Sequence, residues 1–146
     1  GGGFALALAQ QAREESLPQP RDIILLSPWL DITLENPKIS ALEAEDHFLE
    51  KESLQQAGKL YAGDRDPDHY LLSPIYGSME GLGRISLFIG TREMLLPDAR
   101  KLKKLVQSKG MDINYYEYPD MFHDWMILDL PESKKARDEI SKLIMK

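Results

Sequence analysis

Apolar and polar positions along the 146 residues form two kinds of segment. Short continuous apolar runs, Ile23–Leu26 and Ile85–Ile89, are typical of strands covered on both faces, as in a parallel sheet. Longer segments repeat apolar residues at helical spacing. This spacing predicts helices at 3–14, 50–61, about 98–109 and 131–145, with Leu105 and Ile144 among the inward-facing residues, and a short helix around 39–45. The segment 112–118, of more mixed polarity, is predicted as a strand nearer a sheet edge. The order of the elements predicts an α/β fold, a parallel sheet covered by helices.

The first helix has an unusual start. Three glycines, Gly1 to Gly3, lead directly into the apolar stretch Phe4–Ala9. A helix that is apolar on all sides for two turns belongs in a large interior, and its first amide groups need a cap. We therefore expect residues 1–146 to be the C-terminal part of a longer protein, starting inside a glycine-rich turn between a strand and a helix. Such turns often carry a catalytic group.

Composition narrows the function classes. The net charge of −6 argues against a nucleic-acid-binding surface, which would need a basic face. No apolar run approaches the roughly 20 residues of a spanning helix, and no membrane anchor is predicted. The chain has no cysteine, which excludes disulfides, thiolate catalysis and cysteine–zinc sites. We expect a cytoplasmic protein, although a signal peptide would lie upstream of Gly1.

Two candidate catalytic residues follow neighbouring predicted strands. Glu93 comes shortly after Ile85–Ile89, and His123 follows the strand at 112–118. One crossover helix links these strands, so they are expected side by side, about 5 Å apart, with their carboxyl ends at one sheet edge. A carboxylate beside an imidazole fixes its tautomer and stabilises its protonated form. Glu93 and His123 could therefore be the acid and the histidine of a nucleophile–histidine–acid triad.

Five motifs in the correct order make a family resemblance specific. They are Gly1–Leu8, Ser27–Asp31, Ser73–Gly77, Gly90–Leu96 and Met121–Trp125. In these segments the sequence resembles the C-terminal half of an α/β-hydrolase of the hormone-sensitive-lipase-like esterase family, whose nucleophile lies on a Gly-Asp-Ser-Ala-Gly-Gly-Gly turn before an Ala/Leu-rich helix. The resemblance implies that the nucleophilic serine would lie two residues before Gly1. It also places the upstream oxyanion loop outside this chain.

The same resemblance gives the site residues their roles. Glu93 stands where the family's acid stands, usually an aspartate, and His123 where its histidine stands. The second acid of the usual motif is displaced to Asp98. The implied activity is that of a serine carboxylesterase on short acyl esters, with no metal and no cofactor. The chain would be one portion of a single α/β-hydrolase domain, with residues of about 31–62 contributing remnant cap or insert helices.

The resemblance also implies assembly. The predicted strand at 112–118 looks like the last of the sheet, and an exposed sheet edge invites pairing. Because members of the family often dimerise through this strand and the C-terminal helix, a homodimer through 112–118 and 131–145 is expected. Tyr115 and Tyr116 could lie in that contact or be ordinary strand residues.

Simpler interpretations remain open for each residue. His123 could be a loop histidine and Glu93 a surface carboxylate. Asp98 is the alternative acid, but a charge favoured at a helix start explains it better. The weaker candidates are Asp120 and Asp124, which flank the histidine, and His47 and His69, which lie in polar turns.

Two other functions are compatible with the sequence. The chain could be a non-catalytic module, truncated or degraded, that only binds partners. Alternatively, the same fold could carry out amide hydrolysis or deacetylation. A chain without the nucleophile is expected to be inactive on its own.

Overall fold

The computed structural model describes residues 1–146. Four helices and three strands alternate along most of the chain. They are α1 (Gly2–Glu14), β1 (Asp22–Leu26), α2 (Lys51–Ala62), β2 (Arg84–Gly90), α3 (Leu96–Ser108), β3 (Ile113–Tyr118) and α4 (Pro131–Met145). Single 3-10 turns occur at Ile39–Ala41, Pro74–Tyr76 and Trp125–Ile127. The segments predicted as helices and strands are all present, except that the predicted helix at 39–45 is only the first of these 3-10 turns.

The three strands form one parallel sheet in the order β1-β2-β3. Ile85 of β2 lies opposite Ile23 of β1 and Ile113 of β3, which sets the register. Six of the seven β2 residues are buried, as a central strand requires, whereas no residue of β3 is fully buried. The predicted α/β fold with a parallel sheet is therefore confirmed. Strands β1 and β3 are the two outer strands, and β3 is the less buried of them.

Helices cover both faces of the sheet because successive strand residues point to opposite sides. On one face Leu6 of α1 and Leu102 of α3 belong to the main core, together with alternate strand residues such as Leu25 and Leu87. On the other face Phe88 packs with Trp125 and α4. This two-sided cover holds the strand ends in fixed positions, and the site is built on those ends.

Four side chains differ from the predicted burial. Helical spacing places Leu105 of α3 and Ile144 of α4 on inward faces, but both are exposed. The residues Phe4 and Leu8 of α1 are also exposed, so this helix is buried on one side rather than all round. Of the four helices, none has both the length and the apolar character needed to cross a bilayer.

Glycine at the start of α1 allows the helix to lie directly on the chain after β1. A Cβ atom on Gly3 would overlap the carbonyl oxygen of Trp29. The same segment continues into α2, which lies in the region predicted to contribute cap helices. That role for residues of about 31–62 stays a prediction.

Candidate active site

The carboxyl ends of all three strands meet at one edge of the sheet. Ser27 follows β1, Glu93 lies in the turn after β2, and His123 lies in the loop after β3. The strands β2 and β3, which α3 connects, are parallel neighbours, and this brings Glu93 and His123 together. This edge is where open parallel sheets place their ligand sites.

Glu93 is a fully buried carboxylate whose two oxygens are both engaged. Its Oε1 accepts a hydrogen bond from the Ser27 hydroxyl at 2.6 Å and another from the Gly90 amide at 2.8 Å. Its Oε2 lies 3.0 Å from His123 Nδ1. Three donors on one buried carboxylate compensate for its removal from water and fix its orientation.

The expected contact between His123 and Glu93 is present in the structure, within the distance range of a hydrogen bond. An ionised carboxylate can only accept, so Nδ1 carries the proton and Nε2 has a free lone pair in the neutral ring. Burial lowers the pKa of His123, but the hydrogen bond and charge of Glu93, with Asp124 and Asp46, raise it by more, so that the pKa lies above its usual value. The imidazole is therefore oriented and supported as a proton acceptor.

Backbone hydrogen bonds join the two loops that carry this pair. The Thr91 amide donates to the Tyr118 carbonyl and the Arg92 amide to the Met121 carbonyl, both at 3.0 Å. Gly90 makes this approach possible, because a Cβ atom there would overlap the Met121 carbonyl oxygen. These main-chain contacts hold the loop of His123 next to the turn of Glu93.

None of the other candidate acids contacts His123 Nδ1, the ring nitrogen that faces Glu93. Asp120 is exposed and pairs with Arg92 at 2.9 Å. Asp124 places Oδ2 3.4 Å from His123 Nε2, on the side of the ring opposite Glu93. Asp98 does not contact the histidine, so the structure does not bring the alternative acid into the site.

Asp98 lies in the first turn of α3, as the interpretation of a helix-start charge expects. Its side chain is also buried and accepts a hydrogen bond from Asn36 at 2.8 Å. Its other oxygen, Oδ2, has no partner. Burial raises the pKa of the Asp98 carboxyl, with the nearby charge of Asp31 adding to the effect and the Asn36 hydrogen bond opposing it.

A segment from the predicted cap region also reaches the site. Asp46 is buried, and its Oδ2 accepts a hydrogen bond from the Met94 amide at 2.8 Å, next to Glu93. The exposed ring of Phe48 stacks on Phe122, with ring centroids 4.6 Å apart. The sequence pattern does not reveal these contacts. It includes Ser27 in a motif without indicating a role for it, although the position of Ser27 at a strand end is a usable signal.

The two remaining candidate histidines, His47 and His69, are exposed, as expected for polar turns. No group of three or more His, Asp or Glu side chains is placed to hold a metal ion. A groove of about 950 Å³ runs along α3 and is lined by several lysines rather than by Glu93 or His123.

Comparison with known proteins gives consistent matches. The chain is 32% identical to an acetyl-hydrolase of Streptomyces hygroscopicus and 27% identical to an esterase of Acinetobacter venetianus. These alignments cover 93% and 97% of this chain but 46% and 48% of the relatives. The chain therefore spans about half the length of the curated relatives it matches.

Solved structures show the same relation. The chain superimposes on a hormone-sensitive lipase from a metagenome library with a TM-score of 0.94 and 30% identity, covering 99% of this chain and 49% of that one. A family model described as the alpha/beta hydrolase fold matches residues 1–127. The expected resemblance to the C-terminal half of hormone-sensitive-lipase-like esterases is confirmed, and the chain belongs to the α/β-hydrolase fold family.

Proposed function

We propose that this chain supplies the acid and the general base of a serine carboxylesterase that acts on short acyl esters. The observation that carries the proposal is the hydrogen bond between His123 Nδ1 and Glu93 Oε2 at the carboxyl edge of the sheet. The relatives' names support ester hydrolysis, and one is an acetyl-hydrolase, which favours a short acyl group.

The proposed nucleophile is a serine two residues before Gly1 in the whole protein. His123 Nε2 takes the serine proton as the hydroxyl attacks the ester carbonyl. Protonated His123 is stabilised by Glu93, and it then returns the proton to the departing alcohol. A water molecule, deprotonated by His123 in the same way, then attacks the acyl group on the serine and releases the carboxylic acid. The relatives' length, about twice that of this chain, supports a contribution from residues outside it.

The test is hydrolysis of p-nitrophenyl acetate by the whole protein that carries this chain. His123→Ala is expected to reduce kcat by several orders of magnitude, because the base is lost. His69→Ala is the matched control, since His69 is an exposed histidine on a distant turn, and it should retain activity. A whole protein that hydrolyses no ester would support the non-catalytic alternative. One that prefers acetamides would support amide chemistry on the same fold.

A further inference from the structure

A serine at the end of β1 connects the proposed acid to the loop of the proposed base. The Ser27 hydroxyl donates to Glu93 Oε1 at 2.6 Å and accepts from the Asp124 amide at 3.2 Å. Both side chains are almost completely shielded from solvent, with 3% of Ser27 and 0% of Glu93 exposed. One hydroxyl group therefore contacts the acid and the residue that follows His123.

These two bonds use the hydroxyl as both donor and acceptor, so its rotation is fixed. The bond to Glu93 is charge-assisted and short, the stronger class of hydrogen bond. With the Gly90 amide it holds Oε1, which leaves Oε2 directed at His123 Nδ1. The bond from Asp124 fixes the backbone on the other side of the histidine.

The backbone conformation at position 27 suits glycine better than serine, so the advantage of serine there is its hydroxyl group. The φ of Ser27, 39°, lies in the left-handed region, which glycine adopts more readily. If only the turn mattered, glycine would serve at least as well at this position.

We propose that Ser27 is a positioning residue that holds Glu93 and the His123 loop in the geometry needed for proton transfer. Its kinetic consequence rests on the proposed esterase function. A hydrogen bond to a charged group contributes a factor of about ten to a hundred. In the whole protein, Ser27→Ala and Ser27→Gly should each reduce kcat for p-nitrophenyl acetate by about that factor, while KM changes by less than about twofold.

Ser73→Ala is the matched control. Ser73 is also a buried serine followed by a proline, and its hydroxyl accepts from the Ile32 amide at 3.0 Å, away from Glu93. This variant should keep kcat within about twofold. Urea unfolding of each variant identifies any general loss of stability, and Ser27→Gly keeps the test usable if Ser27→Ala folds poorly.

A second readout does not depend on catalysis. In proton NMR of the whole protein, the His123 Nδ1–H shared with Glu93 should give a downfield signal. We expect this signal to broaden or move upfield in both Ser27 variants and to remain in Ser73→Ala. Activity of Ser27→Gly equal to that of the unmodified protein, or an unchanged proton signal in it, would overturn the positioning role. If the unmodified protein hydrolyses no ester, the proposed function fails, and the NMR comparison still decides whether Ser27 positions the pair.

Discussion

Replacement of Glu93 by glutamine changes the chemistry of the pair while keeping its shape. The Gly90 amide can only donate, so the glutamine oxygen must remain at the position of Oε1. The new amide NH₂ then faces His123 Nδ1, which becomes an acceptor. The ring proton moves to Nε2, the atom that should take the proton from the nucleophile.

The expected effect follows from this reversed tautomer. In a serine protease triad, the equivalent change of aspartate to asparagine lowers kcat by about 10⁴. For Glu93→Gln in the whole protein we expect a reduction of about 10³ to 10⁴ in kcat, or about 4 to 5 kcal/mol in the barrier, with little change in KM. Because burial lowers the pKa of His123 and the charge of Glu93 opposes it, the variant should also lower this pKa.

Two measurements check the reasoning. Hydrolysis of p-nitrophenyl acetate gives kcat, and ¹⁵N chemical shifts of the imidazole ring identify the protonated nitrogen. Glu80→Gln is the control, since Glu80 is exposed and pairs only with Lys109 at the surface. A loss of activity below about tenfold, or a ring proton that stays on Nδ1, would refute the assignment of Glu93 as the acid.

Four further predictions concern the chain and its assembly. Asp98→Asn should leave kcat of the whole protein unchanged, and a large loss of activity would restore Asp98 as the acid. Because burial raises the pKa of Asp98, removing its charge should increase the free energy of unfolding at pH 7 but not at pH 3, where the carboxyl is protonated. The pKa of His123 in the folded chain is raised above 6.5, so the contribution of His123 to the free energy of unfolding should be complete below pH 6.5 and disappear as the pH rises through the folded-state pKa. Urea unfolding between pH 5 and pH 9 should show this loss of stability in the unmodified chain and not in Glu93→Gln. The 146-residue chain alone should show no nitrophenyl acetate hydrolysis that depends on His123. The whole protein should scatter light as a dimer through β3 and α4, and a monomer at tens of micromolar would contradict this.

The strands can be predicted from local sequence patterns, and the Glu93–His123 contact follows from the way the strands are connected. Continuous apolar runs identify β1 and β2, and Gly90 marks the end of β2. Once a helix connects two parallel strands, the residues just after both strands must share an edge. The distance between the two side chains then follows from topology without knowledge of distant contacts.

Other features depend on contacts that no local pattern contains. The sequence indicates a helix-start charge at Asp98, but not its burial or its partner Asn36, which lies 62 residues away in the chain. Likewise, the contact of Asp46 with the Met94 amide joins segments 48 residues apart. Helical spacing gives the face of a side chain but not what covers that face, so the predicted burial of Leu105 and Ile144 is wrong.

For Ser27, too, the location can be predicted from the sequence but the contacts cannot. Ser27 lies at a strand end and can be located there from the sequence. Its hydroxyl contacts Glu93 and the Asp124 amide, and its backbone adopts a positive φ. Neither these two partners nor the positive φ can be inferred from the residues around Ser27.

In the proposed mechanism His123, supported by Glu93, activates a serine two residues before Gly1. A reactive aryl phosphonate ester labels activated serines covalently, and mass spectrometry of the labelled whole protein identifies the modified peptide. We predict one adduct, on that serine, and no adduct in His123→Ala. An adduct on a serine within residues 1–146, or labelling that persists without His123, would show that the mechanism is wrong.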